Sequence, residues 1–184
     1  MASFLACIVM KDFDQGAEIA RFGLVANPDD PTLMNNLIYS LANQNKLDEA
    51  EDKLQGVCAR GMQSSDIVAL TATEGLIRYR RGDVDRGRQL YMDAIQEADR
   101  SGIANYRAFA AIFLALEDLR ANSPTIDATY ELANVASKGI GEPAVRLTLN
   151  RLRDAFSRRD GRSEGEQSAR LHEAPQPRVE IVHR

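Results

Sequence analysis

The side chains with which this 184-residue chain could do chemistry are few. Its two histidines, His172 and His183, both lie close to the C-terminus, where solvated side chains are expected rather than catalytic ones. Its two cysteines, Cys7 and Cys58, stand in unrelated contexts, and their spacing makes neither a disulfide framework nor a zinc site. Both have apolar helical neighbours, so each reads as a buried small hydrophobe. The aspartate pairs Asp12/Asp14 and Asp83/Asp85 could hold a cation between carboxylates. Their recurrence at turns between helices points instead to the free N–H groups at helix starts. One concentration of charge stands out: Arg78, Arg80, Arg81, Arg86 and Arg88. Arginine forks suit phosphate and nucleic acid. Yet Asp83 and Asp85 are interleaved with them, and the first three fall in the last turn of an expected helix, where cations favour the dipole. A solvated turn is expected there, and likewise for Arg151, Arg153, Arg158 and Arg159. With no glycine-rich phosphate loop and no nucleophile elbow, the residues assign no catalytic group, no cofactor and no metal site. The expectation is a protein that is not an enzyme.

Whatever these side chains do, helices must position them. The chain is 44% hydrophobic and 27% charged, ordinary values for one domain with a sizeable core. A net charge of −4 argues against nucleic acid as the main partner. The apolar run from Phe4 to Met10 lacks a basic leader region and meets Lys11 and Asp12 at once, so it does not read as a signal peptide. No run approaches the roughly 18 apolar residues of a membrane span. A cytoplasmic protein without a membrane partner is therefore expected.

Three segments line up: Asp12-Phe13-Asp14-Gln15-Gly16-Ala17, Lys46-Leu47-Asp48-Glu49-Ala50-Glu51 and Asp83-Val84-Asp85-Arg86-Gly87-Arg88. Their starts are 34 and then 37 residues apart. Met34, Leu37, Ile38 and Leu41 form one apolar stripe at helical spacing, and Ala50, Leu54 and Val57 form the next. Gly75 takes a small position where paired helices approach, and Gly87, Tyr91 and Ala94 repeat the second stripe. Gly16, Ala20 and Gly23 do so in the first unit, which ends in Asn27-Pro28-Asp29-Asp30-Pro31. Asp30 can cap a helix beginning at Pro31, and Ser123 one beginning at Pro124, with Glu142 before Pro143 a poorer cap. Gly61, Gly82, Gly102 and Gly139 fall where helices should stop.

This pattern resembles the tetratricopeptide repeat family, a 34-residue helix-turn-helix unit. The resemblance covers Phe4 to about Ala98. It departs from the family in having no Trp, Glu74 where Leu is usual and Arg78 where an aromatic is usual. It implies an all-α fold, a right-handed superhelix (α-solenoid) of antiparallel hairpins with about nine helices. The expected units are a partial repeat over 1–29, repeats over 30–64 and 65–101, a degenerate repeat over 102–139 and a final helix over 142–159. Residues 160–184 are expected to be a flexible, irregular tail, or to place Val179, Ile181 and Val182 in a groove of this chain or a second copy. Met1 begins partway through a first helix, leaving Phe4, Leu5 and Ile8 as a candidate self-association edge, or marking the C-terminal module of a longer protein. Asn35 to Glu51 with Leu70 to Ile95 resembles repeat modules that follow a nuclease-like PIN domain in some bacterial proteins. That likeness implies an alternative role as a regulatory module of a larger, RNA-related enzyme.

In the family, first helices line a concave groove that holds a peptide. The resemblance places Asn35, Asn36, Tyr39 and Asn43 there from the second unit, and Ala69, Thr73, Leu76 and Arg80 from the third. Asn amides donate and accept at once and so suit an extended main chain. Some members clamp a C-terminal carboxylate. Here Asn36 matches that motif, while Ala69, Thr73 and Leu5 replace its other positions, so the clamp is expected to be absent and the partner more apolar. The function expected is a scaffold that binds a polypeptide segment.

Overall fold

Helix starts are dictated locally. Asp12, Asp30 and Asp83 each accept a hydrogen bond from the backbone N–H three residues on, Gln15, Leu33 and Arg86 respectively, as a helix N-cap does. Pro31 follows Asp30 at the first helical position. The stops are equally local. Gly82, Gly102 and Gly139 sit at φ of 86°, 68° and 78°, left-handed values that glycine adopts without strain.

The structure, a computed structural model, describes residues 2–57 and 62–172, with side chains as far as Arg159. Among the described residues the chain is all-helical, with nine helices and no strand. Helix α1 is Ala2–Phe4, continued by a π-helical stretch over Leu5–Met10. Then come α2 (Phe13–Ala26), α3 (Pro31–Asn43), α4 (Leu47–Gln55), α5 (Ser64–Arg80), α6 (Val84–Arg100), α7 (Ala104–Arg120), α8 (Ile126–Ala136) and α9 (Pro143–His172). The chain divides into two units, Met1–Leu152 and Arg153–Arg184.

In the first unit, consecutive helices from α1 to α8 pack on one another, and α1, α3, α5 and α7 also pack in sequence. The α5–α6 hairpin shows why glycine is needed. A Cβ on Gly75 would stand 3.0 Å from the Gly87 carbonyl and from the Tyr91 ring. A Cβ on Gly87 would stand 2.5 Å from the Tyr79 ring and 2.9 Å from the Gly75 carbonyl. The backbones therefore touch, and the aromatic rings of Tyr79 and Tyr91 fill the space beside them. The core continues through Leu37, Ile38, Leu41, Ile77, Ile112 and Leu114, each 3% exposed or less. Each contributes about 1.5–3 kcal/mol by leaving water.

Two boundaries differ from expectation. Helix α8 begins at Ile126, because Ser123 Oγ accepts the Thr125 N–H and so closes a turn around Pro124 ahead of the helix. The last helix runs on past Arg159 to His172. That extension holds Arg162, Glu164, Glu166, Gln167, Ala169, Arg170 and Leu171, which favour helix, but also Gly161 and Gly165, which oppose it, so intrinsic propensity alone does not account for it. Cys58, Gly61, His183 and the stretch with Val179, Ile181 and Val182 lie outside the described residues. Among the described residues no helix is long and apolar enough to cross a membrane.

Candidate binding cleft

Helices α1, α3, α5 and α7 leave between them a cleft of about 380 Å³. Its walls are aromatic. Phe4 of α1 meets Phe109 of α7 edge-on at 5.9 Å, and Phe109 stacks on Phe113, one helical turn along, at 5.9 Å. Phe113 faces Tyr39 of α3 at 5.7 Å, and Tyr39 meets Phe13 of α2 at 6.0 Å. Each such pair is worth about 0.5–1.5 kcal/mol beyond its burial, so this ladder both shapes the cleft and ties α1 to α7. A smaller pocket of about 130 Å³ adjoins it and shares Ile8, Tyr39, Tyr91 and Phe113.

The residues singled out from sequence fall on these two surfaces. Asn35, Asn36, Tyr39, Ala69 and Thr73 line the larger cleft, while Tyr39, Asn43, Leu76 and Arg80 line the smaller. Their polar groups are already engaged. Asn36 is 7% exposed and donates to Ser3 Oγ at 2.8 Å. Asn35 accepts from the Thr73 hydroxyl at 2.8 Å, joining α3 to α5. Asn43 donates to the Tyr39 carbonyl. Arg80 donates two bonds to Glu117, at 2.8 and 3.0 Å. Burial holds the Glu117 carboxyl above the usual carboxylate range, and Arg80 offsets part of that rise. These side chains hold the helices together, and what they leave facing the cleft is mostly ring and methyl surface.

At the N-terminal edge, Phe4 and Ile8 face inward and line the cleft, while Leu5 stays 44% exposed. Helix α7 covers Phe4 through Phe109. Arg151 of α9 donates to the Ile8 carbonyl at 2.7 Å and to that of Val9, pairing carbonyls at the end of the π-helical stretch. Cys7 is buried against Ser40 Oγ at 3.0 Å, and burial pushes its thiol up, as in an inert cysteine.

Four of the five clustered arginines serve helix interfaces, while Arg86 is exposed. Arg78 pairs with Glu51 at 3.0 Å and Glu74 at 3.6 Å, and Arg81 with Asp48 and Glu51. Arg78 thus ties α5 to α4 through Glu51, while Glu74 pairs with it within α5. Arg88 reaches Asp118, which is 0% exposed. The Asp118 carboxylate also accepts the hydroxyls of Tyr79 at 2.7 Å, Thr125 at 2.8 Å and Thr129 at 2.9 Å. Burial pushes this carboxyl up, but the four donors outweigh it and hold it below the usual range. No local pattern in the sequence announces this knot, because its members come from α5, α6, α7, the turn and α8.

Sequence reasoning also missed Phe109, Phe113, Asp66 and Tyr106, all of which line the cleft or its neighbour. The apolar i, i+4 spacing of Phe109 and Phe113 is a visible signal, but which face of α7 turns inward is set by α1 and α3 opposite. No protein-family model matches the chain, and neither a curated protein nor a solved structure matches it.

Proposed function

We propose that this chain is a tetratricopeptide-like scaffold, its hairpins arranged as a right-handed superhelix, and that it binds a polypeptide segment in the cleft between its first helices. The observation that carries the reading is the aromatic cleft of about 380 Å³ itself. Pockets of this size with ring-lined walls and a few convergent polar groups are the usual form of a binding site. The 34- and 37-residue spacing and the touching Gly75–Gly87 backbones support the repeat assignment. Protein, rather than nucleic acid, fits the charge: Arg78, Arg80, Arg81 and Arg88 are each paired with a carboxylate.

A photo-crosslinking residue at Ala72, which lines the cleft, tests this against one at Gln96, an exposed position on α6. The expected result is a polypeptide adduct from position 72 alone, lost when Ala69→Arg fills the cleft. Equal adducts from both positions, or adducts that survive Ala69→Arg in a folded protein, would overturn the reading.

A further inference from the structure

The two adjoining pockets carry opposite charge. Among the described residues, the only ionisable groups other than tyrosine lining the larger one are carboxylates, Asp66 and Glu142. The smaller one is lined by four cations, Lys11, Arg80, Arg120 and Arg151, against the single carboxylate Glu117. The pockets also lie in a definite order along the helices. Asp66 stands in the first turn of α5 and Arg80 at its last residue. Asn105 and Tyr106 of the larger pocket open α7, whereas Glu117 and Arg120 of the smaller one end it. The surface therefore runs parallel to α5 and α7, acidic at their N-terminal ends, aromatic in the middle and basic at their C-terminal ends.

The cations at the basic end are not all neutralised. Glu117 is taken by both Arg80 Nε and Nη2, and Arg120 stands 3.8 Å from it. Arg151 spends two donors on the neutral carbonyls of Ile8 and Val9. The Lys11 ammonium is held below the usual lysine range, first by its partial burial and then by Arg151 beside it. A bound anion would relieve that crowding.

Fourteen residues separate Asp66 from Arg80 on one helix, about 21 Å at 1.5 Å per residue. An extended chain covers roughly 3.3–3.6 Å per residue, so about six residues span the surface. We infer that the cleft takes an extended segment of a partner polypeptide with an apolar middle, a carboxylate at the Lys11–Arg120–Arg151 end and a basic side chain at the Asp66–Glu142 end. The inference rests on the cleft being a polypeptide site and adds the chemistry and direction of what enters it. Opposite charges at two ends fix one orientation, because the reversed segment meets like charge at both.

The test uses the full chain and a fluorescent six-residue peptide with lysine at one end, glutamate at the other and leucine and phenylalanine between. Three analogues replace the lysine, the glutamate or both by glutamine. Each single replacement is expected to weaken binding by about fivefold, the scale of a partly exposed ion pair. Lys11→Glu should weaken the parent by a similar factor and leave the glutamate-free analogue unchanged. Glu142→Lys should couple in the same way to the lysine end alone, and both effects should shrink with added salt. Four peptides of equal affinity would overturn the polarity while leaving an apolar cleft standing. Coupling of Lys11 to the peptide's lysine end would overturn the direction. Failure of every peptide, the uncharged one included, would overturn both the cleft as a polypeptide site and this inference.

Discussion

Asp118→Asn is the substitution that tests most of the energetic reasoning at once. The amide has nearly the shape of the carboxylate it replaces, so the change removes charge and one acceptor without opening a cavity. Four donors converge on Asp118: the Arg88 guanidinium and the hydroxyls of Tyr79, Thr125 and Thr129. A hydrogen bond to a charged group contributes about 1.5–3 kcal/mol, and a neutral acceptor gives roughly half of that. Arg88 is left largely covered, its side chain 25% exposed, without its buried counter-charge. The loss should be about 3–4 kcal/mol, in line with other broken buried pairs, and large against a total of about 5–15 kcal/mol. In a chain of this size that lowers Tm by about 6–16 °C. Urea unfolding followed by far-UV circular dichroism measures it, provided the two proteins share one slope.

The pH dependence gives the same experiment a second arm. The folded carboxyl titrates below its unfolded value. Its contribution is therefore complete above about pH 5, one unit above the unfolded value, where the unfolded group is ionised, and is lost as pH falls through the folded value. The amide of the Asp118→Asn variant has no such titration, so the gap between the two proteins should close in acid. A loss at pH 7 below about 1 kcal/mol, the value of an exposed pair, or a gap that stays constant into acid, would refute the claim that this knot is a buried, ionised hub.

Two other predictions concern backbone and closure. Gly87→Ala should cost about 2–4 kcal/mol, because its Cβ would press on the Gly75 carbonyl and the Tyr79 N–H at 2.9 Å, which are backbone and cannot swing aside. Gly82→Ala, with nothing within 4 Å but a φ of 86°, should cost only about 1–2 kcal/mol of strain, and urea melts that rank the two in reverse would contradict this account. Arg151→Ala should leave Ile8 and Val9 without their donors, so hydrogen exchange at the amides of Leu5–Met10 should speed up at least tenfold, about 1.4 kcal/mol. Unchanged exchange there would show that packing and the Ser3–Asn36 bond, not Arg151, hold this end of the chain.

The helices themselves were largely readable from sequence, for a physical reason. An N-cap such as Asp30, a stop such as Gly102 and an apolar stripe such as Leu37, Ile38 and Leu41 act over a few residues, so neighbours in sequence carry the information. The touching of α5 and α6 was readable too, since small residues at 75 and 87 leave the backbones room to meet. The end of α9 was not. Residues 160–172 have no apolar period and carry Gly161 and Gly165, so their local pattern points to coil and does not announce the helix.

The cleft divides the same way. That Asn35, Tyr39, Ala69 and Thr73 share a surface was implied by the family resemblance, and all four line the larger cleft. What that surface offers a ligand did not follow from spacing. Asn35 turns to Thr73, Asn36 to Ser3 and Arg80 to Glu117, choices made by side chains 38, 33 and 37 residues away. Phe4 finds Phe109, and Arg151 finds Ile8 across 143 residues. By itself the sequence determined an all-helical chain of closely packed hairpins, because caps, stops and stripes are local. Only the tertiary structure decided that the amides and arginines serve the scaffold and that the rings face the cleft, since each outcome depends on which distant helix lies opposite.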